Sequence, residues 1–132
     1  MEAQKLRVRD VMSTAPVSIP HDLTLEDAAQ RMFEHKIRHL PVFEAGHLVG
    51  VLSERDIAMI DSIPSVDRRK VRVEQAMTQG AHTSSPDALL VDVVKEMVDS
   101  KHGSSVIMQD GKLVGILTTI DALALLLNYL GE

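Results

Sequence analysis

Two stretches of this 132-residue chain set a hydroxyl and a carboxylate at the same spacing: Gly50-Val-Leu-Ser53-Glu-Arg-Asp56 and Gly115-Ile-Leu-Thr118-Thr-Ile-Asp121. Each reads as an apolar strand running into a helix, with Ser53 or Thr118 at the junction and the aspartate three residues on. Ser-x-x-Asp and Thr-x-x-Asp in that place form capping boxes, which satisfy orphan helix amides and need no ligand. The same geometry can also serve one. Exposed amides beside a hydroxyl suit a phosphate. A carboxylate one turn along repels that phosphate but can accept two hydrogen bonds from neighbouring hydroxyls, as on a ribose. Gly50 and Gly115 either leave room for a flat base or simply ease strand packing.

The two motifs belong to a longer repeat. Shifting the sequence by 65 positions aligns Arg7–Asp56 with Arg72–Asp121 without a gap, and 14 of the 50 positions are identical. Average residue usage gives roughly three by chance. Two copies are too few for a solenoid, so a pair sharing one core is expected.

Both copies carry the same order of elements. Val17–Ile19 reads as a short strand stopped by Pro20. Thr24-Leu-Glu-Asp27 has the form of a capping box, and Leu25, Ala28, Ala29 and Met32 mark an amphipathic helix to about Lys36. Leu90, Val93, Val94 and Met97 repeat that stripe, with Leu89 in place of the capping threonine. Leu40–Phe43, the turn Glu44–His47 and Leu48–Leu52 make a hairpin. Its counterpart, 106–117, has the stronger turn signal, Asp110-Gly111. Helices near Glu54–Ile60 and Thr119–Leu130 close the units. The expected fold is α/β (α+β): β-α-β-β-α, twice, as repeats over 8–63 and 73–130 with a polar, basic linker at 64–72.

These residues resemble the cystathionine-β-synthase (CBS) domain, whose tandem pair is called a Bateman module. The resemblance runs from about Val8 to the C-terminus and rests on Val11-Met-Ser13, Arg38-His-Leu-Pro-Val42 and the two Gly-to-Asp motifs. It implies two repeats packed with pseudo-twofold symmetry, the Ser/Thr on a phosphate, the Asp on a ribose and an adenine between apolar backbone segments. It also implies that each ligand cleft joins the motif of one repeat to the early strands of the other. Thr118 and Asp121 then face Pro16, Val17, Ile37, Arg38, His39 and Pro41. Ser53 and Asp56 face Ala81, His82, His102, Ser104 and Val106. The second set lacks counterparts of Arg38 and Pro41, so the Asp121 cleft is expected to bind more tightly.

Residues 31–39 hold Arg31, Lys36 and Arg38 against Glu34, a local excess of positive charge in a chain of formal net charge −5. Arg38 can fork onto phosphate oxygens, whereas Arg31 and Lys36 read as a solvated helix face. His35 and His39 stand four apart, but the helix breaks between them, so no metal site is expected.

The overall charge argues against nucleic acid as the main partner, and an aromatic content of 2% argues against base-stacking platforms. There is no cysteine, no Gly-x-Ser-x-Gly elbow and no P-loop, so no enzyme is expected. The first residues do not read as a secretory signal, and Ala122–Leu127 is too short to span a membrane. A cytoplasmic protein is expected. The resemblance implies a stand-alone regulatory module that requires no cofactor, responds to an adenosine nucleotide and acts on a separate effector protein. AMP, ADP or ATP is the expected ligand, with NAD or S-adenosylmethionine also open. Leu123, Leu125, Leu126, Leu127 and Leu130 are too many for one apolar stripe. They admit either a helix wrapped over its own core or, as the resemblance implies, a homodimer. The competing reading is a structural dimerisation module with degenerate, empty clefts.

Overall fold

The computed structural model describes residues 5–14 and 16–131. Its elements are α1 (Val8–Val11), β1 (Ser13–Thr14), β2 (Ile19–Pro20), α2 (Leu25–His35), β3 (His39–Glu44), β4 (His47–Ser53), α3 (Glu54–Asp61), α4 (Val73–Ala76) and β5 (Thr78–Gln79). There follow β6 (Thr83–Ser84), α5 (Leu90–Ser100), β7 (Ser104–Gln109), β8 (Lys112–Thr118) and α6 (Thr119–Leu130). The fold is α+β and contains the β-α-β-β-α order twice.

The helix and hairpin signals are realised with small shifts. Thr24 caps α2 by accepting the Asp27 N–H at 3.1 Å, but the Asp27 carboxylate does not reach back, so only half of the expected box forms. Leu89 gives α5 no side-chain cap. Both helices end one residue before a lysine, Lys36 (φ 56°) or Lys101 (φ 57°), that turns left-handed and closes the last turn. The strand expected at Val17–Ile19 forms instead at Ile19–Pro20, parallel to Val42–Phe43. The proline is tolerated because β2 is an edge strand, where no ladder N–H is needed on its outer side. Both hairpins use the same two-residue turn, with Ala45 and Gly46 at φ 50° and 80° and Asp110 and Gly111 at φ 52° and 77°. Two positive φ values in a row match the right-handed twist of the strands they join.

The chain divides into two compact units that do not coincide with the sequence repeats. One comprises Val17–Ala81, and the other joins the described residues before Val17 to the described residues from His82 onward. In the first, the sheet order is β2-β3-β4-β5, and α2 and α3 bury Leu25, Met32 and Ile57 against Leu40, Val42 and Leu52. The short helix α4 completes that core through Val73, held by Val73 N–H on Leu23 O at 2.7 Å. In the second unit the order is β1-β8-β7-β6, and Val8 of α1 takes the matching place beside Leu90, Val93, Met97 and Leu117. Met32 and Met97 are therefore core fillers.

The last helix runs over Thr119–Leu130, as its pattern indicates, yet none of its residues is buried. Leu125 packs partly on the core, while Leu123, Leu126, Leu127 and Leu130 are exposed. No helix among the described residues is long and apolar enough to cross a membrane.

Candidate functional site

Both motifs are built as reciprocal capping boxes at a strand-to-helix junction. Ser53 is extended (φ −108°, ψ 161°), its hydroxyl accepts the Asp56 N–H at 3.1 Å, and the Asp56 carboxylate accepts the Ser53 N–H at 2.9 Å. At the second junction the Asp121 carboxylate accepts the Thr118 N–H at 2.8 Å, and Thr118 Oγ1 accepts the Asp121 N–H at 3.4 Å. The first amide of each helix is also engaged, Glu54 on Arg38 O at 2.9 Å and Thr119 on Gly103 O at 3.2 Å. The second amide, of Arg55 in α3 and Ile120 in α6, has no acceptor among the described residues. It stands beside a hydroxyl at the positive end of the helix, where an anion is favoured.

The two carboxylates differ in how firmly they are held. Asp121 Oδ2 also takes a bond from Thr118 Oγ1 at 3.2 Å, and its Oδ1 accepts one from the Ser13 hydroxyl at 3.0 Å. Among the described residues, Asp56 accepts only the Ser53 N–H. Sequence reasoning missed Ser13 as a partner of Asp121 because 108 residues separate them.

Gly50 and Gly115 serve strand packing. A Cβ on Gly50 would lie 2.6 Å from Thr78 O, and one on Gly115 would lie 2.5 Å from Met12 Sδ and 3.0 Å from Ser13 O. The crowding comes from β5 against β4 and from β1 against β8. The alternative of room for a base is not needed to explain either glycine.

Several expected wall residues lie next to the motif of their own repeat. His39 is paired with Ser53 across β3 and β4, and Ser104 with Thr118 across β7 and β8. Burial holds His39 below the usual imidazole range and Arg38 pushes the same way, against the opposing pull of Asp56 and Glu54. Pro41 is fully buried opposite Val51, whereas Val17 and Ile37 pack on the core. Arg38 is exposed and lines a groove of about 760 Å³ in the Val17–Ala81 unit together with Phe33, Glu54 and Asp61. His35 ends α2 and His39 starts β3, on different elements. Pro16 and Val17 fall in different compact units, as do Ala81 and His82.

In the second repeat the wall positions carry a polar chain. His82 Nδ1 is bonded to Ser105 Oγ at 2.8 Å, Ser105 Oγ to Ser84 Oγ at 2.8 Å, and His82 Nε2 to Glu96 Oε2 at 2.7 Å. The His102 ring stands 5.3 Å from that of His82, and the His82 carbonyl accepts the Val106 N–H at 2.8 Å. The corresponding first-repeat residues are Val17, Ile19, Leu40 and Ile37. Ser105 is nonetheless fully buried, so its hydroxyl is a structural link rather than a nucleophile. The signal was present in the aligned repeats as four apolar-to-polar exchanges at core positions.

Known proteins show the same architecture. The chain is 29% identical over 114 residues to the CBS domain-containing protein YhcV of Bacillus subtilis, covering 86% of this chain and 81% of that one. The first curated relatives it matches are much longer, and it spans 14% and 22% of their lengths. Among solved structures it resembles the CBS domain pair of protein MJ0100 in complex with 5′-methylthioadenosine and S-adenosyl-L-methionine, with TM-score 0.84 and 26% identity over 94% of this chain and 98% of that one. It also resembles CBSX2 in complex with AMP, with TM-score 0.79 and 26% identity over 92% of this chain and 97% of that one. The CBS domain family model matches residues 8–62 and again 73–128, the two copies of the internal repeat. With both copies matched, the chain belongs to the CBS domain family.

Proposed function

We propose that this chain is a regulatory module that binds an adenosine-containing ligand, most fittingly AMP, ADP or ATP, and transmits its presence to a separate partner protein. The single observation that carries the reading is the repeated Ser/Thr-x-x-Asp box, with a hydroxyl, an unengaged helix amide and a half-buried carboxylate together at each strand-to-helix junction. Thr118 and Ser53 are the phosphate contacts and Asp121 and Asp56 the ribose contacts. Arg38 is a further proposed phosphate contact, and the other wall residues implied by the family resemblance are the proposed base contacts. Relatives of similar fold bind AMP, 5′-methylthioadenosine or S-adenosyl-L-methionine, which supports an adenosine ligand and keeps S-adenosylmethionine and NAD among those to test. The module is regulatory rather than catalytic, requires no cofactor, and works in the cytoplasm, where adenine nucleotides are abundant. A thermal-shift series with AMP, ADP, ATP, NAD and S-adenosylmethionine tests it. A ligand at a hundred times its Kd adds about 2.7 kcal/mol, several degrees for this size. No shift with any of the five overturns the reading.

The exposed apolar face of α6 favours a second, compatible role. Leu127 is 68% and Leu130 72% exposed, and Ile120, Leu123 and Leu126 add to the same helix. A face of this kind marks an interaction site, and we propose that two copies of the chain pair through it as a homodimer. Light scattering at micromolar concentration that shows only monomer overturns the pairing. A dimer that binds none of the five ligands leaves the scaffold reading alone.

A further inference from the structure

We infer that Ser13 is a positioning residue for Asp121, fixing its carboxylate to receive the cis-diol of a ribose; the inference rests on the adenosine reading above. Pairing of β1 with β8 sets Ser13 opposite Ile116, and the Ser13 hydroxyl then lies 3.0 Å from Asp121 Oδ1. The Thr118 N–H holds the other oxygen, Oδ2, at 2.8 Å. The carboxylate is thus gripped at both oxygens, which opposes rotation about its bond to the rest of the side chain.

The count of acceptor positions fits a diol. A carboxylate offers about four lone-pair sites, two on each oxygen. Ser13 takes one on Oδ1 and the Thr118 amide one on Oδ2, which leaves one on each oxygen for two adjacent hydroxyls. The Thr118 hydroxyl, 3.2 Å from Oδ2, is the longest of the three donors and can turn away, toward a phosphate. Asp56 provides the internal comparison. Thr78 stands 65 positions after Ser13, yet no bond joins it to Asp56 among the described residues, and the Ser53 amide alone holds that carboxylate. A group already fixed loses less freedom when a ligand binds, so the held carboxylate is the better receptor.

The test uses calorimetric titration with AMP and 2′-deoxy-AMP on the full chain and its Ser13→Ala and Ser13→Thr variants. Ser13→Ala is expected to weaken AMP about tenfold, the worth of one hydrogen bond to a charged group, and to narrow its preference over 2′-deoxy-AMP. Ser13→Thr, which keeps the hydroxyl, is expected to restore both. In the ligand-free protein, Ser13→Ala is expected to speed hydrogen exchange at the Thr118 amide while leaving the Ser53 amide unchanged. Wild-type binding of AMP with Ser13→Ala within twofold of it overturns the positioning role and leaves the adenosine reading standing. A wild-type chain that binds neither probe overturns both.

Discussion

A methyl group on Gly50 would stand 2.6 Å from the carbonyl oxygen of Thr78, closer than real side-chain carbons approach an oxygen. The contact exists because the segment after the first repeat returns to pair its β5 with β4. The repeated glycine therefore reports where a neighbouring backbone passes. Neither Gly50 nor Gly115 has a positive φ, so crowding alone forbids a side chain there.

Alanine at these two glycines is expected to destabilise unequally. At Gly50 the obstacle is backbone, whereas at Gly115 the nearest atom is the movable Met12 sulfur, with Ser13 O next at 3.0 Å. Overpacking of this kind costs about 1–3 kcal/mol. Urea unfolding should place Gly50→Ala at the upper end and Gly115→Ala lower. Equal losses would mean that Met12 cannot move.

The two aspartates separate cap from ligand contact. Each Asp→Ala change is expected to cost about 0.5–2 kcal/mol of stability through its capping box. Asp121→Ala should in addition weaken the tighter AMP site ten- to a hundred-fold, since hydrogen bonds to a charged acceptor are worth about 1.5–3 kcal/mol. Asp56→Ala should leave that site within a few-fold of wild type. Calorimetry that shows the reverse order assigns the tight site to Asp56, and binding that survives in both variants reduces the motifs to caps.

The repeat makes most of each unit legible in the sequence. Identical positions at one offset point to two hairpins, and residues such as Thr24, Ser53 and Thr118 mark helix starts because a hydroxyl just before an apolar stripe accepts an orphan helix amide. The return of α1–β1 and α4–β5 to complete the sheets was hidden. Strands of two residues carry no alternation, and their pairing depends on long-range closure rather than on local preference. The Ser13–Asp121 contact was lost with it. The end of α2 at His35 was displaced by the left-handed Lys36, where glycine is the usual signal.

The polar chain of the second repeat is expected to be fragile to partial replacement and tolerant of complete replacement. Ser105→Ala removes the buried hydroxyl that joins His82 to Ser84, and an unsatisfied buried partner costs about 1–3 kcal/mol. The triple change His82→Val, Ser84→Ile and Ser105→Leu installs the residues that the first repeat carries at these places. Glu96 keeps its carboxylate in solvent, and removing the three inner partners at once is near neutral or stabilising when the shapes fit. Thermal unfolding should rank the triple variant above Ser105→Ala, and the opposite rank would show that the second unit has no room for an apolar set.

Two histidines of the Val17–Ala81 unit are expected to titrate on opposite sides of the ordinary imidazole value. The hydrogen bond from His21 Nδ1 to Glu74 at 2.6 Å holds His21 above 6.5, with Glu44 and Asp22 adding to the pull against a smaller desolvation effect. Burial holds His39 below 6.5. A raised folded value means that the folded state binds the His21 proton more tightly. The stability it adds is fully present below pH 6.5 and is lost as pH rises through the folded value. For His39 the unfolded state binds the proton more tightly, so stability is lost as pH falls below 6.5 toward its folded value. The two slopes oppose each other in wild type. In Glu74→Gln the His21 gain loses its largest source, leaving only the pull of Glu44 and Asp22, while the His39 loss remains, so urea midpoints should fall more steeply than wild type between pH 7 and 5.5. Imidazole resonances followed by NMR should show His21 titrating above His39, and the inverse order would rule out the Glu74 bond and the burial as what sets the two values.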